Sequence, residues 1–176
     1  MIVVGNALHW ALELHRAPGM RLALRERALP QGVDEVLAIA AGSPTAVARA
    51  AEASGQSDAR LLEAARFYLQ EILFFPKADA YRLLGVAADA GADQIKRHHR
   101  LLQQWLHPDR RQGDWESVFA GRVNCAWDRL RSESRRQAYD SELAAEESAG
   151  TGSHAEARLR LRGLETPPPL AERWRG

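Results

Sequence analysis

The 176-residue chain has 24 lysine and arginine residues against 23 aspartate and glutamate residues, a net charge of +1 at pH 7. This balance excludes a global attraction to nucleic acid or to an anionic surface. A single cysteine excludes an internal disulfide and fits a reducing compartment. No apolar stretch approaches about 18 uninterrupted residues, and the apolar start lacks the basic flank of a signal peptide. We therefore expect a soluble, cytoplasmic protein without a membrane span.

Residues 1–56 show the spacing of helices but no group of residues that suggests chemistry. Apolar residues recur at helical intervals from Ala7 to Leu14, and breaks follow at Pro18 and at 30–32. Ser43 is a typical N-cap with proline behind it, so we predict a helix there that ends near residue 55. A packing or adaptor role is the interpretation we favour for this region.

A strongly apolar helix is predicted after Ser57, which is a suitable N-cap. Its apolar stripe repeats every three to four residues and continues into Phe74 and Phe75, until Pro76 stops it. A helix with such a stripe must pack on something. The link at 76–78 is short, so we expect it to pack close to the segment that follows.

The next segment predicts a helical hairpin. Asp79 can cap a short helix that Gly85 ends, and a helix with Ile95, Leu102 and Leu106 on its inner side follows. Pro108 disfavours helical geometry at the residue before it, so this helix should end near residue 106 or 107. A further helix is predicted from residue 115 to about 131. Two helices joined by so short a loop should pack antiparallel and present residues 107–109, His-Pro-Asp, at one tip. These three residues are called the tripeptide below.

A last short helix is predicted from about Glu133 to Leu143, and the composition then changes. Residues 145–176 are polar and rich in helix breakers, with three prolines at 167–169. Few apolar residues and many breakers favour disorder. We therefore divide the chain into an N-terminal helical region at 1–76, the hairpin segment at 77–144 and a disordered tail at 145–176.

The segment 79–143 resembles the J-domain of DnaJ-type co-chaperones. Five stretches carry the resemblance in the order and spacing of the family: YRLLGV at 81–86, IKR at 95–97, LHPDR at 106–110, VNCAW at 123–127 and RRQAYD at 135–140. The resemblance covers little more than a third of the chain. It implies an all-α module of four helices whose second and third helices form the hairpin.

The resemblance also implies a function. J-domains carry out no reaction of their own and need no cofactor; they dock on a DnaK-type ATPase of the heat-shock protein 70 class and stimulate its ATP hydrolysis. The docking residues carried over to this chain are Lys96, Arg97, His99 and Arg100 on the second helix, with His107, Pro108, Asp109 and Arg110 at the loop. By analogy with the family, Asp109 pairs with an arginine of the ATPase.

The sequence departs from the family pattern at several positions. His99 stands where an aromatic residue is usual, Arg111 where an asparagine is usual, and Trp105 where a polar residue is common. These changes put in doubt which DnaK-type partner is preferred. No Gly/Phe-rich stretch and no CxxC repeats follow Leu143, which is typical of a J-domain-only (class C) protein. Residues 1–75 would then recognise a dedicated client or site.

The sequence also raises alternatives to this function. His98, His99, His107 and Asp109 could suggest a metal site, but adjacent helical histidines point about 100° apart and no paired ligand spacing appears. Nucleophilic catalysis by Cys125 is disfavoured, since we expect it to be buried on the inner stripe of its helix. Two alternatives stay open. One is a nucleic-acid-binding or scaffold protein that uses the Arg-rich helices, and the other is a co-chaperone of iron–sulfur cluster assembly.

Overall fold

A computed structural model describes residues 5–107 and 115–162, with side chains described for 5–107 and 118–149. The described residues are helical apart from their connections and contain no strand, which confirms the predicted all-α class. The helices are α1 (Ala7–Arg16), α2 (Arg21–Arg25), α3 (Val33–Ala40), α4 (Pro44–Ser54), α5 (Asp58–Tyr68), α6 (Ala80–Leu83), α7 (Ala92–Trp105), α8 (Trp115–Leu130) and α9 (Glu133–Arg162).

Local side-chain caps start several of these helices. The side chain of Ser43 accepts a hydrogen bond from the backbone N–H of Ala46, and Asp79 caps α6 in the same way. Ser57 likewise caps α5. Each cap satisfies one of the backbone N–H groups that a helix start leaves without a partner. The three predicted helix starts are therefore confirmed.

The N-terminal helices surround α5. Helices α1, α3 and α4 all pack against it, and α1 also packs against α3. The apolar residues of α5 that face them, including Leu61 and Tyr68, are almost fully buried. Burial of several apolar side chains stabilises a helix far more than the intrinsic helix propensity of its residues does. The predicted apolar stripe therefore forms the centre of this region.

The end of α5 changes from α-helical to π-helical geometry. The turn spans Leu69–Leu73, and the backbone N–H of Phe74 bonds to the carbonyl of Leu69 at 3.0 Å, five residues back. A π-turn inserts one extra residue and so rotates the side chains that follow it. Leu69, Ile72, Leu73 and Phe74 are all buried as a result.

The N-terminal helices and the hairpin belong to one compact unit, residues 1–136, and residues 137–176 form a second. Within the first unit α3 packs against α7, and α8 packs against α6 and α7. Gly85 lies at this junction with φ +68°, a conformation that glycine adopts without steric cost. The link at 76–78 thus joins parts that pack directly on each other, as its shortness predicted.

Two expectations differ from the structure. Cys125 is exposed and not buried, because the residues of α8 that face inward are Val123, Ala126 and Leu130. A residue two positions after Val123 is rotated by about 200° from that side. The last helix, expected to end near Leu143, continues to Arg162, and alanine, glutamate and arginine, all strong helix formers, are frequent along it.

Candidate functional site

The hairpin formed by α7 and α8 holds the candidate site. Among the residues predicted to bind a partner, His107 lies just beyond the end of α7 and is exposed. Pro108, Asp109 and Arg110 lie outside the described residues. Asp114, a suitable N-cap for the helix predicted from residue 115, and the triple proline of the tail lie outside them as well.

The basic residues of α7 form one exposed surface, which we call the basic face. It consists of Lys96, Arg97 and Arg100, and all three are exposed. On the opposite side of the helix, Ile95 and Leu102 are buried. His98 lies between them and is also buried. Buried residues therefore recur every three to four positions along one side of α7, and the basic residues lie on the other. The N-terminal helices therefore leave the basic face open to solvent.

Side chains across the hairpin fix its antiparallel register. His99 stacks on Trp127 with ring centroids 4.5 Å apart and planes 6° from parallel. One turn further along α7, the amide of Gln103 donates to the Oδ1 atom of Asn124 at 2.6 Å. The contacted residue on α8 moves from 127 to 124 as the residue on α7 moves from 99 to 103, so the two helices run in opposite directions. The predicted hairpin is confirmed.

His99 is half-buried between the two helices. Burial lowers the pKa of its imidazole, against opposing interactions with Asn124 and Asp128. Its Nε2 atom lies 3.3 Å from the Nε2 atom of Gln103. An amide nitrogen only donates, so His99 accepts here and is neutral in this arrangement. Its role in partner binding stays a prediction, and in the structure it contributes to the register of the hairpin.

His98, considered above only for a possible metal site, lies on the inner side of α7, which was not predicted. The residue is buried, and its Nδ1 atom lies 3.0 Å from the carbonyl oxygen of Leu84. Its Nε2 atom is buried and has no hydrogen-bond partner among the described residues. The sequence spacing could have predicted this burial, because residue 98 lies three positions after Ile95 and four before Leu102, on the same side of the helix.

The N-terminal region contacts the hairpin near its tip. Phe74 stacks on Trp105, the last residue of α7, and on Phe119 near the start of α8. Arg122 on α8 donates hydrogen bonds to the carbonyl oxygens of Phe74 and Phe75. A shallow cavity of about 520 Å³ lies beside these residues. No periodicity or motif could have placed this contact, because it joins residues 31 or more positions apart.

The Arg-rich stretch after α8 makes contacts within the chain. Arg131 pairs with Asp128 at 3.2 Å, and Arg135 donates to the carbonyl oxygen of Asp128. Arg136 donates to the carbonyl oxygen of Ala88 at 2.8 Å. These arginines thus have partners within the chain. The nucleic-acid alternative assumed that they were available to bind phosphate groups.

The part of the chain that the structure describes also bears on two further classes of site. No group of three or more histidine, cysteine, aspartate or glutamate residues there could hold a metal ion. Within the same residues, no helix is both long enough and apolar enough to cross a membrane.

Comparison with known proteins bears on the hairpin segment. The family model described as DnaJ domain matches residues 79–140. Chaperone protein DnaJ of Acidiphilium cryptum is 42% identical over 81 residues, which are 44% of this chain and 21% of the relative. The same-named protein of Gluconacetobacter diazotrophicus is 39% identical over 79 residues, again 44% of this chain and 21% of the relative.

A third relative gives a similar match. Chaperone protein DnaJ of Campylobacter hominis is 42% identical over 64 residues, 36% of this chain and 18% of the relative. The chain thus spans about a fifth of the length of these curated relatives. No solved structure matches significantly.

Proposed function

Because residues 79–140 are a DnaJ domain, we propose that the chain is a co-chaperone of a DnaK-type ATPase of the heat-shock protein 70 class. It docks through the tripeptide and the basic face and stimulates ATP hydrolysis by the partner. The observation that carries the proposal is the match of the family model to the segment whose hairpin leaves the basic face exposed. The reaction belongs to the partner.

The charges of the hairpin support a role in association. Residues 94–111 contain five lysine or arginine residues and one acidic residue, Asp109, on a chain that is nearly neutral as a whole. A concentrated positive surface accelerates encounter with an acidic partner surface and makes the rate depend on salt. Asp109 is proposed to accept a charge-assisted hydrogen bond from an arginine of the ATPase.

The N-terminal region is proposed to direct the co-chaperone to a dedicated client or site. It packs on the DnaJ domain as part of one compact unit and leaves the basic face uncovered. A client recognised by residues 1–75 would therefore be held beside the docked ATPase.

The test is single-turnover ATP hydrolysis by a DnaK-type chaperone with the wild-type chain, His107→Gln and Asp109→Asn. We expect stimulation by the wild-type chain and its loss in both variants, with helicity measured by circular dichroism unchanged. An Arg60→Ala variant serves as a control, because Arg60 is exposed on α5 outside the hairpin. Equal stimulation by all chains, or none by the wild-type chain with several partners, would overturn the proposal.

A further inference from the structure

We infer that Phe74, from the N-terminal region, is a positioning residue for the tripeptide. Its ring contacts both α7 and α8 near the end of the hairpin at which α7 leads into His107. This inference rests on the proposed function, and it assigns to the N-terminal region a part in ATPase docking besides any part in client recognition.

The ring of Phe74 stacks on two other aromatic rings. Its centroid is 4.9 Å from that of Phe119, with planes at 23°, and 5.7 Å from that of Trp105, with planes at 12°. These separations are typical of stacked aromatic pairs. Phe74 itself is 2% exposed. One side chain from outside the hairpin thus contacts both of its helices.

The contacted residues lie next to the loop that carries the tripeptide. Trp105 ends α7, two residues before His107. Phe119 is the fifth residue of α8, which begins at Trp115. A change in the position of either ring would therefore be transmitted to the loop over less than two helical turns.

The backbone of Phe74 is held by the same helix that contacts its ring. Arg122, three residues after Phe119, donates from Nη1 to the carbonyl oxygen of Phe74 at 2.6 Å. Its Nη2 atom donates to the carbonyl oxygen of Phe75 at 2.9 Å. A planar guanidinium makes two such bonds in a fixed geometry, which the ammonium group of lysine cannot do. Carbonyl groups at a helix end also favour a cation.

The N-terminal side of this contact is anchored as well. The π-helical turn before Phe74 is held to α2 by Arg25, whose Nε atom donates to the carbonyl oxygen of Glu71 at 2.7 Å. The Nη2 atom of Arg25 pairs with the Glu71 carboxylate at 2.9 Å. Leu69 and Leu73 are fully buried on the other side of the turn. Phe74 is therefore fixed from both sides.

The middle of the hairpin is held by direct contacts between its two helices. There His99 stacks directly on Trp127, and Gln103 bonds to Asn124. Direct contacts between α7 and α8 thus set the helix separation as far as Gln103, two residues before the end of α7. Nearer the loop, Phe74 contributes to that separation, and truncating its ring should loosen the segment that ends at His107.

The experiment compares Phe74→Ala with Leu14→Ala, which removes a fully buried side chain of α1 in the N-terminal core. The full-length variants are assayed well below their unfolding temperatures, over a range of co-chaperone concentrations. We expect Phe74→Ala to raise the half-saturating concentration for ATPase stimulation about tenfold, equivalent to about 1.4 kcal/mol of docking free energy. Leu14→Ala should leave it unchanged.

Two more variants guard against a general loss of folding. Phe74→Leu keeps apolar bulk without a flat ring, and Arg122→Lys keeps the charge without the two fixed hydrogen bonds. Both are expected to raise the half-saturating concentration by a smaller factor than Phe74→Ala. The inference fails if all Phe74 and Arg122 variants dock like the wild-type chain. It also fails if Leu14→Ala weakens docking as much as Phe74→Ala does.

Amide hydrogen exchange of residues 101–107 in the isolated chain gives a readout independent of the ATPase. Exchange there should be faster in Phe74→Ala than in Leu14→Ala, and equal exchange in the two would overturn the inference. If the wild-type chain stimulates no DnaK-type partner, the proposed function fails and the proposed effect on docking fails with it. The exchange rates then still decide whether Phe74 holds the hairpin tip.

Discussion

The Nδ1 atom of His98 lies 3.0 Å from the carbonyl oxygen of Leu84, which joins the middle of α7 to the turn after α6. A carbonyl oxygen only accepts, so Nδ1 carries the hydrogen and donates it. Nε2 is left as a buried acceptor with no hydrogen-bond partner in the described part of the chain. Protonation of that nitrogen would bury a charged ring, which is costly without a partner.

The buried histidine predicts a loss of stability in mild acid. Burial lowers the pKa of His98 below its usual 6.5, opposed by the Leu84 carbonyl and by Asp34 on α3, while Arg97 lowers it further. The unfolded chain therefore binds more protons than the folded chain below about pH 6.5. We expect the free energy of unfolding to be constant just above this pH and to fall as the pH is lowered through it.

Urea unfolding between pH 5.5 and 7.5 measures this effect. His98→Gln, whose amide can still donate to Leu84, should show a shallower dependence on pH than the wild-type chain. His99 contributes a slope of the same sign, since burial lowers its pKa too, so part of the dependence should persist. His9→Gln, which alters an exposed residue of α1, controls for the loss of one histidine. An unchanged slope in His98→Gln would contradict the assignment.

Gly85 predicts a second effect on stability, because its surroundings leave no room for a side chain. A Cβ atom there would lie 2.8 Å from Cγ1 of Val33 and 3.2 Å from Cδ1 of Leu73. The positive φ of +68° adds a cost of about 1–2 kcal/mol for alanine. Overpacking adds about 1–3 kcal/mol. Gly85→Ala should therefore lower the free energy of unfolding by about 2–5 kcal/mol.

Gly55 offers a matched control for this substitution. Its φ is +66°, close to that of Gly85, but no described atom lies within 4 Å of its Cβ position. Gly55→Ala should show the backbone cost alone, about 1–2 kcal/mol. The difference between the two variants, measured by urea unfolding, isolates the packing of α3 and the π-turn against the DnaJ domain. Equal losses would mean that this packing is loose.

The parts of the fold that were predictable depend on neighbours in the sequence. Ser43, Ser57 and Asp79 start helices because a cap needs only its own side chain and an N–H three residues later. The hairpin was predictable because Pro108 limits α7 and a short loop forces antiparallel packing. The resemblance to the DnaJ family, which the family match confirms, also rests on short stretches of sequence. These stretches identified the candidate site.

The parts that were not predictable depend on distant contacts or on helical phase. The side of α8 that faces inward is set by its packing on α6 and α7. The expectation for Cys125 was wrong because this residue lies about 200° around the helix from the buried Val123. The π-turn before Phe74 rotates the ring toward the hairpin, and no regular 3.6-residue pattern contains that rotation. Contacts between residues far apart in the sequence, such as that of Arg122 with Phe74, form only in the folded chain. They add the N-terminal region to a site that local motifs confine to 79–140.

The ion pair between Arg25 and Glu71 should stabilise the π-turn more than an exposed pair would. The two side chains are 22% and 28% exposed, and their atoms are 2.9 Å apart. The pair Arg49 and Glu35 is 3.4 Å apart, with the arginine 68% exposed. Double-mutant cycles should give a coupling of about 1.5–3 kcal/mol for the first pair, as for hydrogen bonds to charged groups. The second should give less than about 1 kcal/mol.

The measurement is urea unfolding of the single and double alanine variants at low and at high salt. The Arg25 coupling should persist at high salt better than the Arg49 coupling, since partly buried pairs are screened less. Arg21 also approaches Glu71, at 3.8 Å, so the Arg25 variant alone should cost less than removal of Glu71. Equal couplings for the two pairs would contradict the role assigned to the π-turn anchor.

The basic face predicts how association with the partner depends on salt. Arg100 is exposed on α7, so Arg100→Glu changes the local charge by two units without altering the core. Electrostatic steering raises association rates by roughly tenfold or more, and we expect this variant to associate roughly threefold to tenfold more slowly at low ionic strength. At about 1 M salt the Debye length falls to about 3 Å, and the rates of variant and wild type should converge.

Stopped-flow association with a DnaK-type chaperone tests this prediction, with Arg60→Glu as the matched control. Arg60 is exposed on α5, so its reversal changes the net charge equally but lies outside the basic face. If both reversals slow association to the same extent, net charge and not the basic face steers the encounter. If Arg100→Glu is slow at all salt concentrations, Arg100 makes a close contact in the complex and its effect should then appear in the dissociation rate.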